Sequence, residues 1–122
     1  MHGISQLPLL EQNAIRLLIR GEGVPSEIVE QVNRIDSVVR DAGPAGVYID
    51  FTLMKGAAPV EGRKDFHIAD LSAPAEDSKG IEFILYVRGG FIAFLEVYSA
   101  FDVLPPYESV VDGFQGTPKA YE

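Results

Sequence analysis

Two apolar runs, Ile81 to Arg88 and Phe91 to Tyr98, flank Gly89-Gly90, and this unit constrains the fold more than any other stretch. Both runs are rich in β-branched and aromatic residues, and the glycines supply the positive φ angles that a two-residue primed turn demands. The pattern predicts an antiparallel hairpin in which Arg88 faces Phe91, Tyr86 faces Ala93, Ile84 faces Leu95 and Glu82 faces Val97. The other face then carries Phe83, Leu85, Val87, Ile92, Phe94, Glu96 and Tyr98. Both faces are mostly apolar. A sheet with one wet face shows polar alternation instead, so each face here requires a cover.

The flanking sequence supplies the rest of the architecture. Residues 9 to 20 predict a helix with Leu10, Ala14, Leu17 and Leu18 on one face, widened by Ile15 and Ile19, between Pro8 and a stop at Gly21. A second helix opens at Pro25-Ser26-Glu27 and runs to about residue 33. Residues 35 to 41 keep a helical spacing but are rich in β-branched residues; composition favours a strand, and periodicity alone leaves a helix open. Over 46 to 54 the period becomes two, with Tyr48, Asp50 and Thr52 on the polar side. Residues 65 to 71 read as a short strand between polar loops. From residue 99 to 122, Phe101, Val103, Leu104, Tyr107, Val110, Val111, Phe114 and Tyr121 stand among Pro and Gly, the pattern of an arm laid on a surface. The expected fold is one α+β domain over residues 1–122: two N-terminal helices packed on a mainly antiparallel five-stranded sheet, with a C-terminal arm.

At 122 residues, 47% hydrophobic and 23% charged, the chain is long enough to bury its own core. Its net charge of -8 argues against nucleic acid and against anionic membranes, both of which require cationic patches. The densest cationic spot, Arg63-Lys64, lies between Glu61 and Asp65. Such acidity suits a basic protein partner, or simply maintains solubility. The absence of cysteine excludes disulfides, thiolate chemistry and sulfur-ligated zinc. No run approaches the roughly 20 apolar residues of a membrane span, and Met1 to Gln6 lacks a basic region before an apolar stretch, so a cytoplasmic protein is expected.

Glu96 is the most conspicuous candidate for chemistry. On the expected register it lies among Phe83, Phe94 and Tyr98, where an ionised carboxylate needs a tyrosine or an arginine such as Arg40, or else rises in pKa. With Tyr98 and Tyr48 it forms the candidate ligand-binding set, although a structurally satisfied carboxylate is the commoner outcome. His67 and Asp70 are three apart on a strand and fall on opposite faces unless a bulge intervenes, and His2 is remote in sequence, so no metal site is expected. No serine lies in a Gly-x-Ser-x-Gly elbow, and Gly21-Glu-Gly23 leads into Val-Pro without the later residues of a phosphate loop. Leu104-Pro-Pro-Tyr107 reads as a strand terminator rather than a ligand for an aromatic groove. No cofactor is expected.

Several stretches together resemble a family of small uncharacterised bacterial α+β proteins: Glu27-Ile-Val-Glu-Gln31, Val39-Arg40 on to Gly46-Val-Tyr-Ile-Asp-Phe51, Ile68-Ala-Asp-Leu71, Gly80 to Gly90, and Phe94-Leu-Glu-Val-Tyr98. The likeness spans roughly residues 9 to 107 and implies a strand over 35 to 41. In that family the Leu-Glu pair is followed by Gly and later by Trp-Pro. Here Val97 and Leu104-Pro105 stand in those places, which puts any shared ligand contact near Tyr98 in doubt. The resemblance carries no catalytic residues. A looser likeness is to toxin-immunity proteins.

These observations lead to the expectation of a non-catalytic protein-interaction module of immunity-like or regulatory kind. The alternative is a small enzyme or ligand-binding domain with a pocket around Glu96 and Tyr98. The paired apolar hairpin faces also predict a homodimer, with Ile84, Tyr86, Phe91, Leu95, Val97, Leu104 and Tyr107 as interface candidates.

Overall fold

The Gly-Gly hairpin forms with the bounds read from sequence, as β4 (Ile81–Arg88) and β5 (Phe91–Tyr98), and Gly89 and Gly90 take φ of 59° and 85°. The computed structural model describes residues 3–76, 80–100, 103–111 and 113–122. The readings placed on His2 and Phe101 lie outside these residues.

Around the hairpin stand α1 (Leu9–Leu18), α2 (Ser26–Val32), β1 (Ile35–Ala42), β2 (Gly46–Leu53), β3 (Phe66–Ala73) and β6 (Lys119–Tyr121). Residues 35 to 42 are thus a strand, not a continuation of α2. The sheet is open and has six strands, not five, in the order β1-β2-β5-β4-β3-β6, with every neighbouring pair antiparallel. The extra strand comes from the arm: Lys119–Tyr121 pairs with His67 to Ala69 on the free side of β3.

The expected hairpin register fails at a single residue. Arg88 faces Phe91 and Val87 faces Ile92, but Tyr86 faces Phe94, so Ala93 is an extra residue in β5. A bulge of this kind shifts every following side chain to the other face. Leu95 and Val97 therefore join Phe83 and Leu85, whereas Glu96 and Tyr98 join Ile84 and Glu82. A second bulge lies across β4, where Ala69 and Asp70 together oppose Ile84, with Asp70 at a φ of 72°. Short polar side chains tolerate this left-handed conformation better than most residues.

One sheet face is aliphatic and covered. Ile49, Ile68, Phe83, Leu85, Val87, Ile92, Leu95 and Val97 form its floor, and Ala14, Ile15 and Leu18 of α1 with Ile28 and Val32 of α2 pack over it. The buried stripe of α1 is Glu11, Ala14, Ile15 and Leu18, rotated from the expected one, and Leu17 is left exposed. Glu11 is fully buried. Arg40 from β1 and the Tyr107 hydroxyl from the arm both donate to its carboxylate, so the burial cost is offset by a cation and a hydroxyl on separate oxygens. The Arg40 guanidinium is raised above its ordinary value, first by its hydrogen bond to Glu11. Burial and then Glu11 push the Tyr107 phenol strongly upward.

Gln31 is the other polar residue inside the core. Its Nε2 donates to Ala58 O at 2.9 Å and Gly90 O at 2.8 Å, and its Oε1 accepts from Ile92 N at 2.8 Å. Both amide hydrogens and the amide oxygen are engaged, tying α2 to the hairpin turn.

The arm closes the same face. Leu104 N donates to Pro44 O, Tyr107 reaches Glu11, Val111 N donates to Pro74 O, and Ser72 and Gln115 exchange backbone hydrogen bonds. Leu104, Tyr107, Val110 and Phe114 pack against the core, with the Phe114 ring 5.7 Å from that of Phe83. The arm therefore covers its own molecule on the helical side. No helix among the described residues is long and apolar enough to cross a membrane.

Candidate binding face

Across the opposite face the register aligns side chains in rows that run over the strands. The longest is Val39, Asp50, Phe94, Tyr86, His67 and Tyr121, each directly opposite the next from β1 to β6. Its aromatic rings are in contact. Tyr121 stacks on His67 at 5.5 Å, His67 lies 5.9 Å from Tyr86, and Tyr86 stacks on Phe94 at 4.5 Å. Tyr48, in the adjacent row, meets Phe94 edge-on at 5.7 Å. Contacts of these geometries each contribute about 0.5–1.5 kcal/mol beyond area burial. The Arg88 guanidinium lies 5.1 Å from the Tyr86 ring centre and 5.9 Å from that of Phe94. A continuous aromatic strip results, and no helix of the described residues packs on it.

The adjacent row is Asp41, Tyr48, Glu96 and Ile84. Glu96 was expected in an apolar setting beside Phe83; the bulge places it instead on the open face, half-buried. Its Oε2 accepts from the Tyr48 hydroxyl at 3.2 Å and its Oε1 from the Tyr86 hydroxyl at 3.0 Å. Arg40, the cation anticipated for it, is committed to Glu11 on the other side of the sheet. A third row sets Tyr98 between Gly46 and Glu82. Glycine is required at position 46, because a Cβ there would stand 2.3 Å from Val97 O.

The electrostatics of this face are anionic. Glu96, as a nearby negative charge and hydrogen-bond acceptor, raises the Tyr48 phenol. Tyr86 is pushed up to about 12 by burial and then by its hydrogen bond to Glu96. Burial, followed by Glu82 and Glu96, raises Tyr98. Glu82 is itself raised by burial and then by Asp70. Asp70 accepts a hydrogen bond from the Tyr121 hydroxyl, so the β3 bulge does bring Asp70 toward the His67 side, through the tyrosine stacked on that histidine. Among the described residues no three His, Asp or Glu side chains converge to hold a metal.

All three ligand-binding candidates line one cavity. Tyr48, Glu96 and Tyr98 enclose about 200 Å³ with Asp41, Gly43 and Gly46 at the β1–β2 end of the face. A larger cleft of about 410 Å³ lies at the opposite edge between Val60, Phe66 and Tyr121, where Lys64 already pairs with Glu122 at 3.2 Å.

The interface candidates are divided between the two sides. Ile84 and Tyr86 lie on the open face, and Phe91 lies at the hairpin tip beneath Arg63, 5.8 Å away. Leu95 and Val97 are 0% exposed in the core, and Leu104 and Tyr107 are engaged by their own chain. These four are not surface anchors. Phe94, Glu82, Asp41 and Arg88 belong to the open face and were not singled out in the sequence; the cross-strand rows that gather them depend on the bulge. Comparison of the chain with known protein families, with curated proteins and with solved structures finds no match.

Proposed function

We propose that this chain is a non-catalytic protein-interaction module whose docking surface is the open face of its sheet. The observation that carries this reading is the aromatic strip from Tyr48 to Tyr121, which lies on the sheet face away from the helices and ends on the arm's strand β6. Tyrosines suit such a role because the ring supplies apolar area while the hydroxyl keeps a polar partner in the free protein, here Glu96 or Asp70. The cavity at Glu96 is smaller than the roughly 300–1,000 Å³ of clefts that enclose whole small molecules, and this favours a surface over a ligand pocket. Both Glu96 oxygens are occupied by tyrosine hydroxyls, which suits a fixed recognition group better than a proton-transfer catalyst.

Affinity capture from source cells, run with the wild type, Ile84→Asp on the open face and Leu9→Asp on the helical side, tests the reading. A partner retained by the wild type and Leu9→Asp but lost with Ile84→Asp is expected. Identical recovery with all three, or no specific partner, overturns it. Sedimentation of the same proteins identifies a second copy as the occupant if a dimer is present and Ile84→Asp dissolves it.

A further inference from the structure

We infer that the occupant of the open face is an arginine-bearing basic segment of a partner protein, with one guanidinium seated against Tyr48 between Asp41 and Glu96. This rests on the reading of that face as an interaction surface, and adds the chemistry of the partner.

Charge complementarity carries the argument. Asp41, Asp50, Glu82 and Glu96 all stand on this face by register, against two cations, Arg88 and Lys119, each held over aromatic rings of the strip. The ion pairs found among the described residues, Arg40 with Glu11 and Lys64 with Glu122, involve none of these four carboxylates. A face with this surplus attracts cations and repels phosphates. A second copy docked face to face would set its own Glu82 and Glu96 against the same groups, and like charges across an interface are costly.

Arginine is favoured over lysine by the way the row is built. Cross-strand neighbours on one face sit about 4.5–5.5 Å apart at Cβ. In the order Asp41, Tyr48, Glu96, an aromatic ring that is 47% exposed therefore has a carboxylate on either side. A planar guanidinium stacks flat on such a ring and donates outward from its fork to both flanks, whereas an ammonium, such as that of Lys119 5.6 Å from the Tyr121 ring centre, meets the ring as a compact, strongly hydrated point charge without that fork. The adjoining cavity of about 200 Å³ has room for one side-chain head, not a whole ligand. The molecule already holds guanidiniums over rings, Arg88 over Tyr86 and Phe94 and Arg63 over Phe91.

The test is a ¹⁵N–¹H titration of the full chain with hexa-arginine, hexa-lysine and hexa-glutamine. Hexa-arginine is expected to shift the amides of Tyr48, Glu96 and Tyr98, and to bind roughly tenfold more tightly than hexa-lysine, a difference that reflects stacking. Hexa-glutamine should shift nothing. Asp41→Asn, at an exposed position that leaves folding intact, and Glu96→Gln should each weaken hexa-arginine binding several-fold, while Leu9→Asp leaves it unchanged. Equal binding of arginine and lysine peptides with no effect of either variant would mean diffuse attraction to an acidic protein, and overturns the inference. So do shifts confined to other acidic surfaces, or no shifts at all. In those cases the open-face reading itself stands or falls on the capture experiment, whose readout does not depend on the charge of the probe.

Discussion

The two faces of the β4–β5 hairpin are built from residues one apart in sequence, and each carries large hydrophobic groups. They nevertheless do different work. The covered face is Phe83, Leu85, Val87, Ile92, Leu95 and Val97, almost entirely aliphatic, and it lies beneath α1, α2 and the arm. The open face is Ile84, Tyr86, Phe94, Glu96 and Tyr98, where nearly every large residue has a polar end or a polar neighbour. Branched aliphatics interdigitate at high density under a helix and have nothing to offer water. Tyrosines around a carboxylate form a surface that is wet when free and closes when bound. Side-chain size does not separate the two faces. The chemistry of the side-chain tips does.

That contrast breaks most readily on stability. Leu95→Ala should cost about 2–5 kcal/mol, because it opens a cavity under the helices. Ile84→Ala, on the neighbouring strand and the other face, should cost less than about 1.5 kcal/mol. Urea midpoints of the two variants decide the matter, and equal losses would mean that the open face is packed after all. Next in size is the arm. Tyr107→Phe removes a hydroxyl from the buried Glu11 carboxylate and should cost about 1–3 kcal/mol, whereas Tyr48→Phe, which removes a hydroxyl from half-buried Glu96, should cost less than about 1 kcal/mol. Matched thermal melts test this difference.

The smallest expected effect is a pH dependence on the open face. Burial and Asp70 raise the Glu82 carboxyl, so the folded state holds that proton more tightly than the unfolded chain does. The associated stability is complete below the ordinary carboxylate range and is lost as pH rises through the raised value. Glu82→Gln cannot ionise and should therefore be slightly more stable than the wild type at pH 7, with the advantage gone near pH 3 as both carry a neutral side chain. A variant less stable than the wild type at pH 7 would show that the Glu82 charge is favourably paired.

The hairpin, its glycine turn and both helices were legible because period and turn chemistry agreed there, and β-branching favoured the strand at residues 35 to 41 against a helical spacing. The sixth strand was not, since Lys119–Tyr121 is three residues long and its partner β3 lies some fifty residues earlier. The bulge left no mark in the sequence either. From Phe91 to Val97 both alternating sets are apolar enough to be the buried one, so nothing singled out Ala93, and the error carried Glu96, Leu95 and Val97 to the wrong faces. Glu11 and Gln31 were overlooked for a related reason. Each stands among other polar residues of its helix and so reads as solvent-facing, and only the positions of Arg40, Tyr107 and the hairpin turn make its burial tolerable.

Gln31 has a kinetic consequence. Its side chain holds the Ile92 amide proton directly, so that proton can exchange with solvent only when α2 lifts from the hairpin turn. The two carbonyls that position it, on Ala58 and Gly90, lie far apart in sequence, and a loosened α2 releases both together. Helix, loop and turn thus open as one cooperative unit rather than fraying separately. The exchange rate at Ile92 becomes a clock for that opening, read at a backbone position far from the helix in sequence.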